Sequence, residues 1–280
     1  MKILKTVIEM QNWSDAQRLK KRSIGFVPTM GAIHDGHSSL VRRSRQENQA
    51  TVVSIFVNPA QFGPQEDFHA YPRPRTLDLK ILRAHNVDLV FAPTVHEMYK
   101  NDFSTCVEES VRSKGLCADT RPDHFRGVTT IVTKLFIAVN PHNAYFGEKD
   151  YQQLKIIQKM VKDLGFNIKV IGCPVVRESD GLARSSRNKY LDREHRAKAL
   201  LVYSSLQKAV EMIKSKNKIS DIYAYIHRLW QQHDTCRLEY IRVVDPETLE
   251  EKHTFVGRIR VLIAATVGNT RLIDTIEIRR

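Results

Sequence analysis

The feature that most limits the fold of this chain is a series of short apolar runs set between amphipathic segments. The runs are 24-IGFV-27, 52-VVSIFV-57, 87-VDLVFA-92 and 168-IKVIG-172, with 143-NAYF-146 a shorter candidate. They are continuous rather than alternating, so each predicts a strand buried on both faces, as in a parallel sheet covered by helices. Between them, residues 37–48 follow a glycine-rich turn and end in a charged face, and residues 74–85, 124–139 and 150–164 carry apolar side chains at helical spacing. Leu77, Ile81 and Leu82 make one such stripe, and Val128, Ile131, Val132, Leu135 and Phe136 another. Strand alternating with helix predicts an α/β fold with a doubly wound parallel sheet.

Near residue 175 the pattern changes. A polar, turning stretch, 177-RESDGLARSSRNKY-190, precedes two predicted helices at 192–215 and 219–233. Three strands are expected after them, at 236–245, 258–267 and 271–278. The expected domains are therefore 1–175, carrying the parallel sheet, and 176–280, a smaller α+β domain. The polar stretch at their junction is a hinge or an active-site loop, and ligand pockets favour such junctions.

With 280 residues and 42% apolar side chains, the chain can bury a large core. Its net charge of +13 is spread over both parts and favours anionic partners. Nucleic acid and a nucleoside triphosphate both qualify, but no basic tail or aromatic-plus-basic module supports nucleic acid. The four cysteines lie far apart without a C-x-x-C pair, which argues against a zinc module or redox motif. The opening residues, MKILKTVIEMQNW, have Glu9 and Gln11 where a signal peptide needs an unbroken apolar run. No apolar stretch reaches the length of a membrane span. A cytoplasmic protein is expected.

The densest motif is 28-PTMGAIHDGHSSL-40. Its Gly31, Gly36, His37 and Ser38 follow the phosphate-loop spacing, with histidine where lysine belongs. The loop lies between an apolar strand and a helix, at the strand's carboxyl end, where such sheets bind ligands. A helix start offers free N–H groups to a phosphate. Histidine does not suit γ-phosphate transfer, which needs a fixed cation. It does suit donating to an α-phosphate as charge builds there. The alternatives are an ordinary glycine-rich turn and a metal pair from His34 and His37, which would need a third ligand that no nearby segment offers.

Three further stretches are donor-rich. In 54-SIFVNPAQFGPQEDFHAYPR-73, Asn58 and Gln61 are amides at a strand end, able to hold a small polar substrate. Glu66 and Asp67 there could face a magnesium ion or simply solvent. In 146-FGEKDYQQL-154, Gly147 permits close approach, Lys149 is a phosphate cation, Asp150 can cap the next helix, and Gln153 lies one turn on. In 183-ARSSRN-188, Ser185, Ser186 and Arg187 form a compact donor cluster. Each also reads as a plain turn or junction. Their co-occurrence favours convergence on one nucleotide.

Taken together, PTMGAIHDGH, SIFVNPAQFGPQEDFHAYPR, HFRGVTTIVTKLF, YFGEKDYQQL, VRESDGLARSSRNKYL and TRLID resemble, in order, the blocks of the pantothenate synthetase (pantoate–β-alanine ligase) family. The resemblance spans nearly the whole chain. It implies a Rossmann-like first domain of the H-I-G-H nucleotidyltransferase type, a smaller C-terminal domain covering the active site, and a homodimer. It implies ATP as substrate with Mg²⁺, no resident metal site, (R)-pantoate activated as pantoyl adenylate with release of pyrophosphate, and attack by β-alanine to give pantothenate and AMP. By the family's pattern, Met30, Gly31, Ala32, Ile33, His34, Asp35, Gly36 and His37 would bind ATP. So would Gly147, Glu148, Lys149, Asp150, Val176, Arg184, Ser185, Ser186 and Arg187. His37, His34 and Lys149 would be catalytic; Gln61, Gln153 and Asn58 would hold pantoate, and Gln61 also β-alanine. Arg184 departs from the family, which usually has an apolar residue there, and Ala60 stands where a bulkier one is common. The competing readings are another H-I-G-H nucleotidyltransferase and a basic nucleic-acid-binding protein.

Overall fold

A computed structural model describes residues 1–64 and 66–278. The chain forms two compact units: 1–147 with 153–174, and 148–152 with 175–280.

The first unit is built on β1 (Lys2–Leu4), β2 (Ile24–Thr29), β3 (Ala50–Ile55), β4 (Leu89–Phe91), β5 (Asn143–Gly147) and β6 (Lys169–Cys173). They form one parallel sheet in the order β1-β4-β3-β2-β5-β6, the predicted doubly wound arrangement. The helices are α1 (Val7–Leu19), α2 (Asp35–Glu47), α3 (Arg75–Ala84), α4 (Val95–Met98), α5 (His124–Val139) and α6 (Tyr151–Asp163). Sequential strands run outward from β2 through β3 to β4, then resume on its other side with β5 and β6. The order reverses between β2 and β5, and ligands of such sheets bind beyond the carboxyl ends of the strands at that reversal. Val27, Val53, Val90, Leu40, Val41 and Leu82 fill one side of the sheet with their neighbours.

The N-terminal β1 and α1 have no counterpart in the apolar pattern. The buried face of α1 is Met10, Ser14 and Gln17, two of them polar, and Ser14 Oγ donates to the Val139 carbonyl at 2.7 Å. In α3 the inward residues are Asp78 and Leu82, while Leu77 is half exposed, so the inner face is turned one residue from the apolar stripe.

The second unit contains α7 (Arg193–Lys198), α8 (Leu200–Lys214) and α9 (Ile219–Trp230), followed by β7 (Cys236–Val244), β8 (Ile259–Val267) and β9 (Thr270–Ile278). The predicted helix at 192–215 is thus two, meeting at Ala199. The three strands pair antiparallel in the order β7-β8-β9. Val202, Leu206, Ile222, Ile226 and Trp230 of the helices pack on Ile241, Val261 and Ile263 of the sheet. The segment 148–152 belongs here because Tyr151 donates its hydroxyl to the Pro246 carbonyl at 2.9 Å and Arg260 stacks on its ring at 3.7 Å. Among the described residues, no helix is long and apolar enough to cross a membrane.

Candidate active site

At the end of β2 the chain turns sharply through Gly31 (φ 88°) and Ala32 (φ 50°) before entering α2. A left-handed alanine costs roughly 1 kcal/mol or more, so something must hold it. Asp78 does so from α3. Its carboxylate accepts the Ala32 N–H at 2.9 Å and the Ile33 N–H at 2.8 Å while only 1% exposed. A side chain at Gly31 would put its Cβ 3.0 Å from that carboxylate. Thr29 braces the base of the turn: its hydroxyl donates to the Ser54 carbonyl at 2.7 Å and accepts the Gly31 N–H at 3.1 Å.

His34 is the N-cap of α2 and His37 its third residue, so H-x-x-H here has the spacing of a capping box. Nδ1 of His34 accepts the Gly36 N–H at 3.1 Å, and Nδ1 of His37 accepts the His34 N–H at 3.4 Å. An acceptor Nδ1 places the proton of a neutral imidazole on Nε2. Each ring is thereby set as an Nε2–H donor, beside a helix start that favours anions.

At the end of β3, Asn58 is buried and Gln61 part-exposed within the 3-10 turn Pro59–Gln61. Asn58 Nδ2 donates to Gln61 Oε1 and to the Gly127 carbonyl, both at 3.1 Å. Gln61 Nε2 donates to Sδ of Met30, also at 3.1 Å, which brings the amide pair against the histidine loop. Behind Gln61, its carbonyl meets Nδ1 of His124 at 2.8 Å and Nη2 of Arg121 at 3.3 Å. Glu66 pairs with Arg121 at 2.6 Å. Burial alone would raise the Glu66 carboxyl, but the Arg121 fork outweighs it and holds the group below its ordinary range. Gln153 stands in the first turn of α6, part-exposed.

Gly147 ends β5, the neighbour of β2. In the second unit, Glu148, Lys149 and Asp150 form a 3-10 turn. Arg260, itself 3% exposed, donates to Glu148 at 3.1 Å and to Glu277 at 2.7 Å. Lys149 Nζ lies 3.5 Å from Asp150. Burial pushes the Tyr151 hydroxyl up to about 12, against the opposing pull of Arg260. The stretch after β6 is held in a tight turn by its own contacts. Arg177 bridges to Ala183, the Arg184 N–H donates to the Val176 carbonyl at 2.9 Å, and Arg196 pairs with Glu178 at 2.8 Å. Ser185 caps the 3-10 turn Ser186–Tyr190 by accepting the Arg187 N–H at 3.3 Å. Arg184 faces Glu178 at 3.7 Å. Arg177 in turn grips Asp274 of β9, one nitrogen donating at 3.0 Å.

The sequence reading passed over Asp78, Tyr99, Arg121, His124 and Arg260. Only Asp78 left a usable trace, as an aspartate one helical turn before buried Leu82. Among the described residues, no group of three or more His, Cys, Asp or Glu side chains could hold a metal ion.

A profile of the family described as pantoate-beta-alanine ligase matches residues 2–277. A pantothenate synthetase of Thermotoga petrophila is 51% identical over 275 residues, covering 98% of each chain. The crystal structure of pantothenate synthetase from Thermus thermophilus superposes with a TM-score of 0.94 at 43% identity over 100% of both chains. That of pantoate-beta-alanine ligase from Francisella tularensis, complexed with beta-gamma ATP and beta-alanine, gives 0.79 at 33% identity, covering 99% of this chain and 97% of that one.

Proposed function

The chain belongs to the pantoate–β-alanine ligase family, the ATP-dependent ligases that make pantothenate, and we propose that its residues divide that reaction as follows. The carboxylate of (R)-pantoate attacks the α-phosphorus of ATP, forming pantoyl adenylate and releasing pyrophosphate. The amine of β-alanine then attacks the acyl carbon, and AMP leaves with the bonding pair of the C–O bond. Neither step needs a protein nucleophile, so rate enhancement rests on alignment and on stabilising developing charge.

The observation that carries this assignment is the paired imidazole cap of α2, with both Nδ1 atoms accepting backbone N–H groups. His37, with His34 beside it, donates from Nε2 to the α-phosphate oxygens as they gain charge. Met30 to His37 and Gly147 cradle the nucleotide. By the family resemblance, Lys149, with Glu148 and Asp150 in its turn, and Val176, Arg184, Ser185, Ser186 and Arg187 also bind ATP. Gln61 and Gln153 hold pantoate, Asn58 acts on pantoate through Gln61, and β-alanine enters beside Gln61. Mg²⁺ fits as an ion carried on the triphosphate, because such ions keep several waters and take one or two carboxylates. Asp78 is 1% exposed with both oxygens accepting loop N–H groups, whereas Asp150 is half exposed beside Lys149. Bound there, the ion would neutralise charge on the phosphates. The family resemblance further supports a cytoplasmic homodimer.

The test is isotope exchange of pyrophosphate into ATP. Exchange should require pantoate and proceed without β-alanine. Exchange without pantoate, or release of ADP in place of AMP, would sink the assignment.

A further inference from the structure

We propose that Tyr99 is a positioning residue for pantoate, locking a relay through Asn58 that turns the Gln61 carboxamide into a fixed donor. The inference rests on the reading of Gln61 as a pantoate-holding residue. Its basis is that two backbone groups in this corner each allow only one role. The Ala60 N–H must donate, and it meets Oδ1 of Asn58 at 3.3 Å. The Gly127 carbonyl must accept, and it meets Nδ2 of Asn58 at 3.1 Å. Together they leave a single orientation for the Asn58 amide. Nδ2 then donates to Gln61, whose facing atom must be the acceptor Oε1. The Nε2 group of Gln61 is thereby oriented, and it points to Met30 of the histidine loop. Gln61 therefore offers an N–H to an acceptor oxygen of its substrate, while one lone pair of its Oε1 is taken up by Asn58.

Tyr99 closes the relay from the far side. Its hydroxyl lies 2.7 Å from Oδ1 of Asn58, the atom that the Ala60 N–H also engages, and so acts as the donor. The ring is itself fixed, with the Phe103 centroid at 5.0 Å and Lys134 Nζ over its face at 5.7 Å. Burial raises the hydroxyl above its ordinary value, so it keeps its proton across the working range. The relay depends on contact between α5 and the turn carrying Asn58. That contact needs Gly127, since a Cβ there would stand 2.1 Å from the Ala60 carbonyl oxygen.

Tyr99→Phe removes one oxygen and leaves the ring. The KM for pantoate should rise about fivefold to tenfold, the scale of one neutral hydrogen bond, while kcat and the KM for ATP stay near the parent's. In a Gln61→Ala background the same substitution should add nothing, because residues acting through one contact are not additive. A parental pantoate KM in Tyr99→Phe overturns the relay. So does an equal rise for ATP, a melting shift with no change in KM, or an undiminished effect in the Gln61→Ala background. A Gln61→Ala enzyme with parental pantoate KM removes instead the reading of Gln61 beneath it.

Discussion

The imidazoles of His34 and His37 stand with ring centroids 4.0 Å apart, and the backbone N–H of His34 donates to Nδ1 of His37. Two histidines three residues apart suggest a metal pair when seen as letters. At the start of a helix the same interval joins the N-cap to the third residue, and here it closes a box that serine and glutamate usually close. The cap consumes the Nδ1 atoms and sets the Nε2 atoms as donors, so a structural device also fixes the tautomers.

The two roles of His37 can be separated. His37→Ala should lower kcat by about 10²-fold or more, as loss of a charge-stabilising donor does. It should also weaken the cap by about 1 kcal/mol. His37→Glu restores a capping acceptor without a donor, so it should melt within about 2 °C of the parent yet share the kinetic loss. Thermal melts beside pyrophosphate exchange decide it; a Glu variant as active as the parent removes His37 from the chemistry.

Asp78 holds Ala32 in its left-handed conformation, so Asp78→Ala strands two buried N–H groups, at about 1–3 kcal/mol each. The KM for ATP should rise at least tenfold, and Asp78→Asn, which keeps one acceptor, should fall between. Steady-state titration of ATP at saturating pantoate checks this. An Ala variant with parental ATP affinity would show that the loop holds its shape unaided.

Arg260 lies between Glu148 and Glu277. Arg260→Met leaves two part-exposed carboxylates near each other without their cation and should cost about 1–3 kcal/mol. Adding Glu148→Gln should recover part of it. Denaturant melts of the single and double variants measure the recovery, and none is expected if Glu148 does not feel Arg260.

The Glu66 carboxyl sits below its ordinary 4.5 because of Arg121. A depressed folded value stabilises the protein fully above the unfolded value and is lost as pH falls through the folded one. The melting difference between parent and Glu66→Gln should thus be constant from pH 7 to about 5 and shrink below the ordinary value of 4.5. The pair is partly exposed, so the plateau should be under about 1 kcal/mol.

Arg184 faces Glu178 with its side chain 38% exposed. Arg184→Leu, which restores the apolar residue usual in the family at this ATP-binding position and breaks only an exposed ion pair, should change kcat/KM by about twofold at most. A large loss would give this family departure a functional role.

The parallel sheet was legible because its strands are apolar on both faces, and the turn into α2 because glycines mark the step from an apolar strand to a helix. What escaped was polar and buried. The α1 helix hides Ser14 and Gln17, so its inward face has no apolar period. Asp78 and Arg260 act on residues far along the chain, and Tyr99 touches Asn58 across 41 positions. Charge and hydroxyl groups satisfied by such distant partners leave no local spacing to read.

The segment Glu148–Gln152 lies in sequence within the first unit but packs with the second. A chain cut at Pro174 would therefore not release an intact module. It would separate Arg260 from Glu148 and from the ring of Tyr151, and orphan the cluster at its most buried cation. Exchange of this portion between relatives, in the laboratory or in evolution, has to transplant two stretches together. The five-residue insert carries Lys149, so that lysine is inherited with the C-terminal half rather than with the histidine loop.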